Sequence, residues 1–195
     1  MKKTIGFILS MVLVSTLAVA QDDDAIQKPT FAVHFILNDF KGAANVRANS
    51  LGLVFKNRQF GRIKDMAPGL AFNYISGLTK TFDFTATLAG SFVDYPIPNK
   101  EAFGRDFLLM EADASVRGKL ISNKAVVSPY LQLGMGISKY KSYVGAFLPV
   151  GAGLQVNLFN EAYLLVNAQY RVPITDNTQY HFFYSIGLAG NLSKK

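Results

Sequence analysis

From Thr79 to Leu192 apolar residues alternate with small or polar ones almost without a break in phase. Within Thr81–Val93, Phe82, Phe84, Ala86, Leu88, Gly90 and Phe92 share one parity, while Thr81, Asp83, Thr85, Thr87, Ala89 and Ser91 share the other. Successive side chains of a strand point to opposite faces, so a period of two predicts β-structure with one apolar face. The pattern predicts eight strands, roughly Thr30–Asn38, Ala67–Gly77, Lys80–Val93, Asp106–Leu120, Ala125–Lys139, Phe147–Leu158, Ala162–Ile174 and Tyr180–Leu192. Each is long enough to cross a bilayer when tilted. The fold class this implies is all-β: an eight-stranded antiparallel up-and-down transmembrane β-barrel.

The connections alternate in length. Ser76–Thr79, Ile121–Lys124 and Phe159–Glu161 are tight, whereas Asp39–Met66, Asp94–Arg105, Tyr140–Ala146 and Thr175–Gln179 are longer. Short turns at one end and long loops at the other are how outer-membrane barrels are built. In the first long loop Asp39 is a candidate helix cap, and Ala44, Ala48, Leu51 and Phe55 share a helical face. A helix of about three or four turns is therefore expected there.

Alternation alone does not say which face points inward, and a soluble lipocalin-like barrel also has eight strands and one apolar face. The second face decides. It is dominated by small residues, among them Ser128, Gly134, Gly136, Ser138, Gly151, Gly153, Ser185, Gly187 and Ala189. Such residues suit the crowded interior of a narrow barrel and would be odd on a solvated sheet. On the apolar face, Phe72, Tyr74, Phe82 and Phe84 gather towards the short turns, and Phe92, Tyr170, Tyr180 and Phe182 towards the long loops, as two interfacial girdles would.

The start of the chain adds the compartment. Lys2 and Lys3 precede an apolar run from Ile5 to Leu17, and Ala18-Val19-Ala20 has the small residues of a cleavage site. Residues 1–20 read as a cleavable signal peptide, 21–29 as a polar periplasmic arm, 30–193 as the barrel and 194–195 as the start of a linker. The expected location is the outer membrane of a gram-negative bacterium. Without the leader, 18 Lys+Arg stand against 13 Asp+Glu, an excess too small and scattered to suggest nucleic-acid binding. The chain has no cysteine, which excludes disulfides, thiolate metal sites and thiol nucleophiles. No G-x-S-x-G or comparable context surrounds any serine, and no catalytic residue, metal or cofactor is assigned.

Charge on the inward parity is the remaining signal. Asp83, Glu111, Asp113, Arg117, Lys119, Arg171, His34 and His181 form the candidate lumen network. Isolated buried ions are expensive, so these groups should pair across the lumen, Asp83 with Arg117. Together with Gln132, Gln155, Asn167 and Gln169 they are expected to plug the barrel; a gate or small diffusion pore is the alternative use of the same face. The first loop carries Lys41, Arg47, Lys56, Arg58, Arg62 and Lys64, flanked by Asp39 and Asp65, as candidate contacts to lipopolysaccharide.

Two stretches carry a family resemblance: Ala102-Phe103-Gly104-Arg105-Asp106 with Leu108–Ala114, and Gln169-Tyr170-Arg171-Val172-Pro173-Ile174 with Tyr180-His181-Phe182-Phe183. They resemble the N-terminal barrel of OmpA-like outer-membrane proteins. The resemblance implies an eight-stranded barrel with a narrow or plugged lumen, and the role expected of the chain is a structural or surface-interaction one in the envelope. It also implies peptidoglycan as a partner, through a C-terminal domain, where that domain follows.

Overall fold

The computed structural model describes residues 26–49, 51–98, 104–121, 125–159 and 162–192. The predicted leader, most of the predicted arm, the tip of the loop at Asn99 and the last residues, including Lys194 and Lys195, lie outside these. The strands are β1 (Thr30–Asp39), β2 (Ala67–Gly77), β3 (Phe82–Val93), β4 (Phe107–Lys119), β5 (Val127–Tyr140), β6 (Tyr143–Phe159), β7 (Ala162–Pro173) and β8 (His181–Asn191). Each pairs antiparallel with its neighbours in sequence, and β8 returns to β1, so the barrel is closed. Closure removes every sheet edge and satisfies the strand backbone internally, which hydrocarbon requires.

The strands are steeply staggered. Following paired residues once around from Lys119, through Tyr130, Gly153, Asn167, Ser185, Ile36, Gly69 and Ser91, the path meets β4 again at Leu109, ten residues away. That stagger tilts the strands and sets a radius that side chains can fill.

The two faces separate cleanly. Phe35, Leu70, Leu88, Leu131, Leu133, Ile137, Ile186 and Leu188 stand exposed on the outer wall, and the charged and amide side chains lie inside. This is the inverse of a soluble barrel with an apolar cavity, and it removes the lipocalin alternative. The interior is nonetheless less polar than expected. Ala32, Ile75, Tyr163, Leu165 and Ala189 cluster towards the short-turn end, and Ile36, Ala71, Ala89 and Phe183 nearer the long-loop end. The inward glycines make room for rings: a Cβ at Gly136 would strike Phe147, one at Gly153 Tyr130, and one at Gly187 His34.

Two connections depart from expectation. The β5–β6 connection is a tight hairpin in place of a long loop, since Tyr140 pairs with Tyr143 and leaves only Lys141 and Ser142 between them. The β6 alternation reaches back to the turn, in phase opposite to that of β5: Val144 is exposed outside while Gly145 and Phe147 are buried. The first loop holds two short helices, α1 (Phe40–Ala48) and α2 (Leu51–Lys56), in place of one longer helix. Asp39 caps α1 by accepting the Gly42 N–H at 2.6 Å. The buried positions are Phe40, Gly42, Ala43 and Val54, whereas Ala44, Ala48 and Phe55 of the expected face are exposed and the Leu51 side chain lies outside the described residues. Phe40, at the start of α1, packs with Tyr95, Leu109 and Tyr140, and this contact selects the face that is buried.

Candidate functional site: the lumen and the first long loop

All eight charged or imidazole side chains assigned to the lumen are buried. They form two tiers. Towards the short turns, Lys119 Nζ lies 2.8 Å from Asp83 Oδ1. Asp83 sits directly across from Arg117 in the β3–β4 register, as the alternation implies, yet its carboxylate goes to Lys119. Arg117 instead places its guanidinium 4.4 Å above the Tyr130 ring, and among the described residues it makes no ion pair. His34 and Gln132 lie in the same stretch of lumen with no hydrogen bond to either side chain.

Towards the long loops the hub is Arg171. It forms an ion pair with Glu111, and its Nη2 lies 3.3 Å from Asp113 Oδ2. The Phe183 and Phe147 rings hold the guanidinium plane, at 3.8 and 4.8 Å. Ser115 donates to Asp113 at 3.1 Å, and His181 Nε2 stands 3.3 Å from Glu111 Oε1. A fixed planar fork held between two carboxylates and two rings has little freedom to leave.

Side chains gather at both ends of the lumen. At the mouth Phe40, Tyr95, Ile97, Leu109 and Tyr140 form an apolar cluster above the Arg171 tier, with Phe40 4.5 Å from the His181 ring. The Tyr95 hydroxyl accepts the Gln179 N–H at 2.7 Å, tying the β3–β4 loop to the β7–β8 loop, and burial pushes this phenol up from its ordinary pKa. At the other end Gln27 folds beneath the barrel, where Gln155 Nε2 donates to it at 3.3 Å. Its carbonyl accepts the Gly77 N–H at 2.9 Å, an approach so close that a Cβ on Gly77 would overlap the arm. Phe40, Tyr95 and Ile97 of the lid, and the way the predicted arm folds under the barrel, escape sequence reading because they lie outside the strands. The inward parity of Phe147, Phe183 and Tyr130 was the signal available for the rings.

The first loop treats its six cations differently. Asp65 Oδ1 and Oδ2 take Lys41 Nζ and Arg62 Nε, each at 3.2 Å. The bond from Lys41 holds the Asp65 carboxyl below its ordinary pKa. Arg47 stacks on Tyr180 at 3.7 Å. Lys56, Arg58 and Lys64 are exposed. These six therefore form one folded surface but no single binding cluster.

No family model matches the sequence, and no curated protein matches it. Solved structures do. The N-terminal β-barrel domain of Pseudomonas aeruginosa OprF superposes with a TM-score of 0.53 at 7% identity, covering 85% of this chain and 98% of that one. The attachment invasion locus protein Ail of Yersinia pestis gives 0.51 at 14% identity, over 84% of this chain and 97% of Ail. Neisserial surface protein A gives 0.51 at 14% identity, over 87% and 100%. The fold is that of the OmpA-like outer-membrane barrels. At these identities an OmpA-like barrel is shared as architecture, and the lumen and loop residues must be read from this chain itself.

Proposed function

We propose that this OmpA-like barrel is a protein of the gram-negative outer membrane, exported behind residues 1–20, with a structural or surface-interaction role and no catalytic one. Its lumen is a plug. The observation that carries this is the stacking of closures along one axis: the aromatic lid, the Arg171–Glu111–Asp113 tier, the Asp83–Lys119 pair and Gln27 beneath. An eight-stranded barrel has room for side chains and little else. The ion pairs serve to neutralise charge inside a low-dielectric wall, where an unpaired ion is costly.

The first loop faces the outer surface on this reading. From Phe40 to Lys64 it contains no acidic residue, and it presents Lys56, Arg58 and Lys64 to solvent. That charge suits phosphate-bearing lipid such as lipopolysaccharide. The deciding experiment is conductance of the refolded barrel in planar bilayers. Rare, small openings fit a plug, and steady, large, ohmic channels would establish the diffusion pore in its place.

A further inference from the structure

The first loop carries apolar side chains that the barrel does not use. Phe55 and Ile63 are 59% and 72% exposed. Phe55 is not isolated: its ring lies 5.1 Å from Phe60, and Phe60 lies 5.6 Å edge-on from Phe182. Phe182 belongs to the outer wall of β8, where it meets Tyr170 at 5.0 Å, and Tyr170 stacks on Tyr180 at 5.8 Å. The aromatic girdle of the lipid-facing wall thus runs on, ring to ring, into the loop. Among these apolar positions stand Lys56, Arg58, Arg62 and Lys64.

The loop is also held in this pose. Gln59 N–H bonds Val54 O at 2.9 Å and Arg58 N–H bonds Phe55 O at 3.1 Å, with Arg58 at φ 51. Those paired bonds close α2 in a Schellman turn. The turn folds the chain back so that Phe60 reaches Phe55, while Val54 is buried beneath and Asp65 ties the far end to Lys41. An apolar ridge of this kind, continuous with a membrane wall and edged with cations, has the composition of an element that lies in the bilayer interface.

We infer that the segment Phe55–Lys64 is a membrane-dipping element: Phe55, Phe60 and Ile63 enter the outer leaflet beside β8, and Lys56, Arg58 and Lys64 engage lipid phosphates. This rests on the outer-membrane reading and adds apolar insertion to the charge contact proposed above. The occupant is lipid, because the ridge is continuous with the girdle and its rim is cationic.

The chain has no tryptophan, so single variants Phe55→Trp and Ile63→Trp each report one place. Asp176→Trp, in the exposed β7–β8 loop, is the reference. Each full-length barrel is refolded into phosphatidylcholine vesicles with brominated acyl chains, with and without phosphatidylglycerol. Insertion predicts blue-shifted emission for both loop variants and bromine quenching about twofold or more above that of Asp176→Trp, with protection from aqueous iodide. Emission and iodide access equal to the reference, in barrels that have inserted, would overturn the inference. Deeper quenching with phosphatidylglycerol, lost in Lys56→Gln/Arg58→Gln/Lys64→Gln, supports the phosphate contact. Equal quenching in both lipids would remove that contact and leave the apolar insertion standing. A chain that does not insert at all would refute the outer-membrane reading itself.

Discussion

At the scale of single residues, the lumen shows how far parity reasoning reaches. Period two puts Asp83, Arg117 and Lys119 on one face, and antiparallel pairing sets Asp83 across from Arg117. Which cation takes the carboxylate is a matter of rotamer and neighbours. Tyr130 offers Arg117 a ring face, and Lys119 is left to reach Asp83 at 2.8 Å. Parity therefore reads who is inside and leaves the pairing open. A double-mutant cycle separates the two assignments. Removing either Asp83 or Lys119 should cost roughly 3–5 kcal/mol, because the partner is left buried and uncompensated, and removing both should cost less than the sum. Urea titration of folding into liposomes measures the coupling. A larger coupling for Asp83 with Arg117 than with Lys119 would contradict the observed pairing. Arg58 offers a second check at this scale. A non-glycine residue in the left-handed region is strained by about 1–2 kcal/mol, so Arg58→Gly should tighten the turn after α2. Slower amide exchange at Gln59 is the expected sign, and faster exchange would contradict it.

At the scale of elements, the strands were legible because a sheet with lipid on one side and packed polar groups on the other imposes two unlike environments at every second residue. β2 has the predicted bounds, and the other strands differ at their ends. Leu133 and Gln132 are adjacent, yet one is 59% and the other 2% exposed. Leu133→Arg should weaken insertion by about 2–4 kcal/mol near the bilayer midplane, while Gln132→Ser should cost far less. Equal costs in a liposome folding assay would mean that the faces are misassigned. The loops were harder to read. In the first loop the helix ends near Asn49, whose N–H bonds Asn45 O at 3.0 Å, and the second short helix is held by tertiary packing through Val54. A helix of six or nine residues has little stability of its own, so its length and buried face are set by what it packs against. The β5–β6 hairpin shows the opposite error. Tyr140 to Ala146 reads as a loop, yet from Tyr143 onward the β6 alternation is already present, with Val144 exposed and Gly145 buried.

At the scale of the whole molecule, the proposed plug is a set of barriers in series along one axis. Flow through such a path is limited by its tightest point, so opening one barrier changes little while another stays closed. Tyr95→Ala should loosen the mouth, because Tyr95 joins two loops through Gln179 and touches Phe40 and Tyr140. Beneath it Arg171 still bridges Glu111 and Asp113 between Phe147 and Phe183. Tyr95→Ala alone should therefore leave planar-bilayer conductance close to that of the unaltered barrel. Arg171→Ala alone should also open it little, since the aromatic lid remains, though the unpaired carboxylates should lower stability. Only the double variant should show a clear rise in open probability, and the Asp83–Lys119 pair should still keep each opening small. Glu111→Gln with Asp113→Asn, added to the double variant, should restore folding stability without closing the path, which separates a damaged barrel from an opened one. A large, steady current from Tyr95→Ala by itself would show that the mouth is the sole barrier and that the polar tiers below it already conduct.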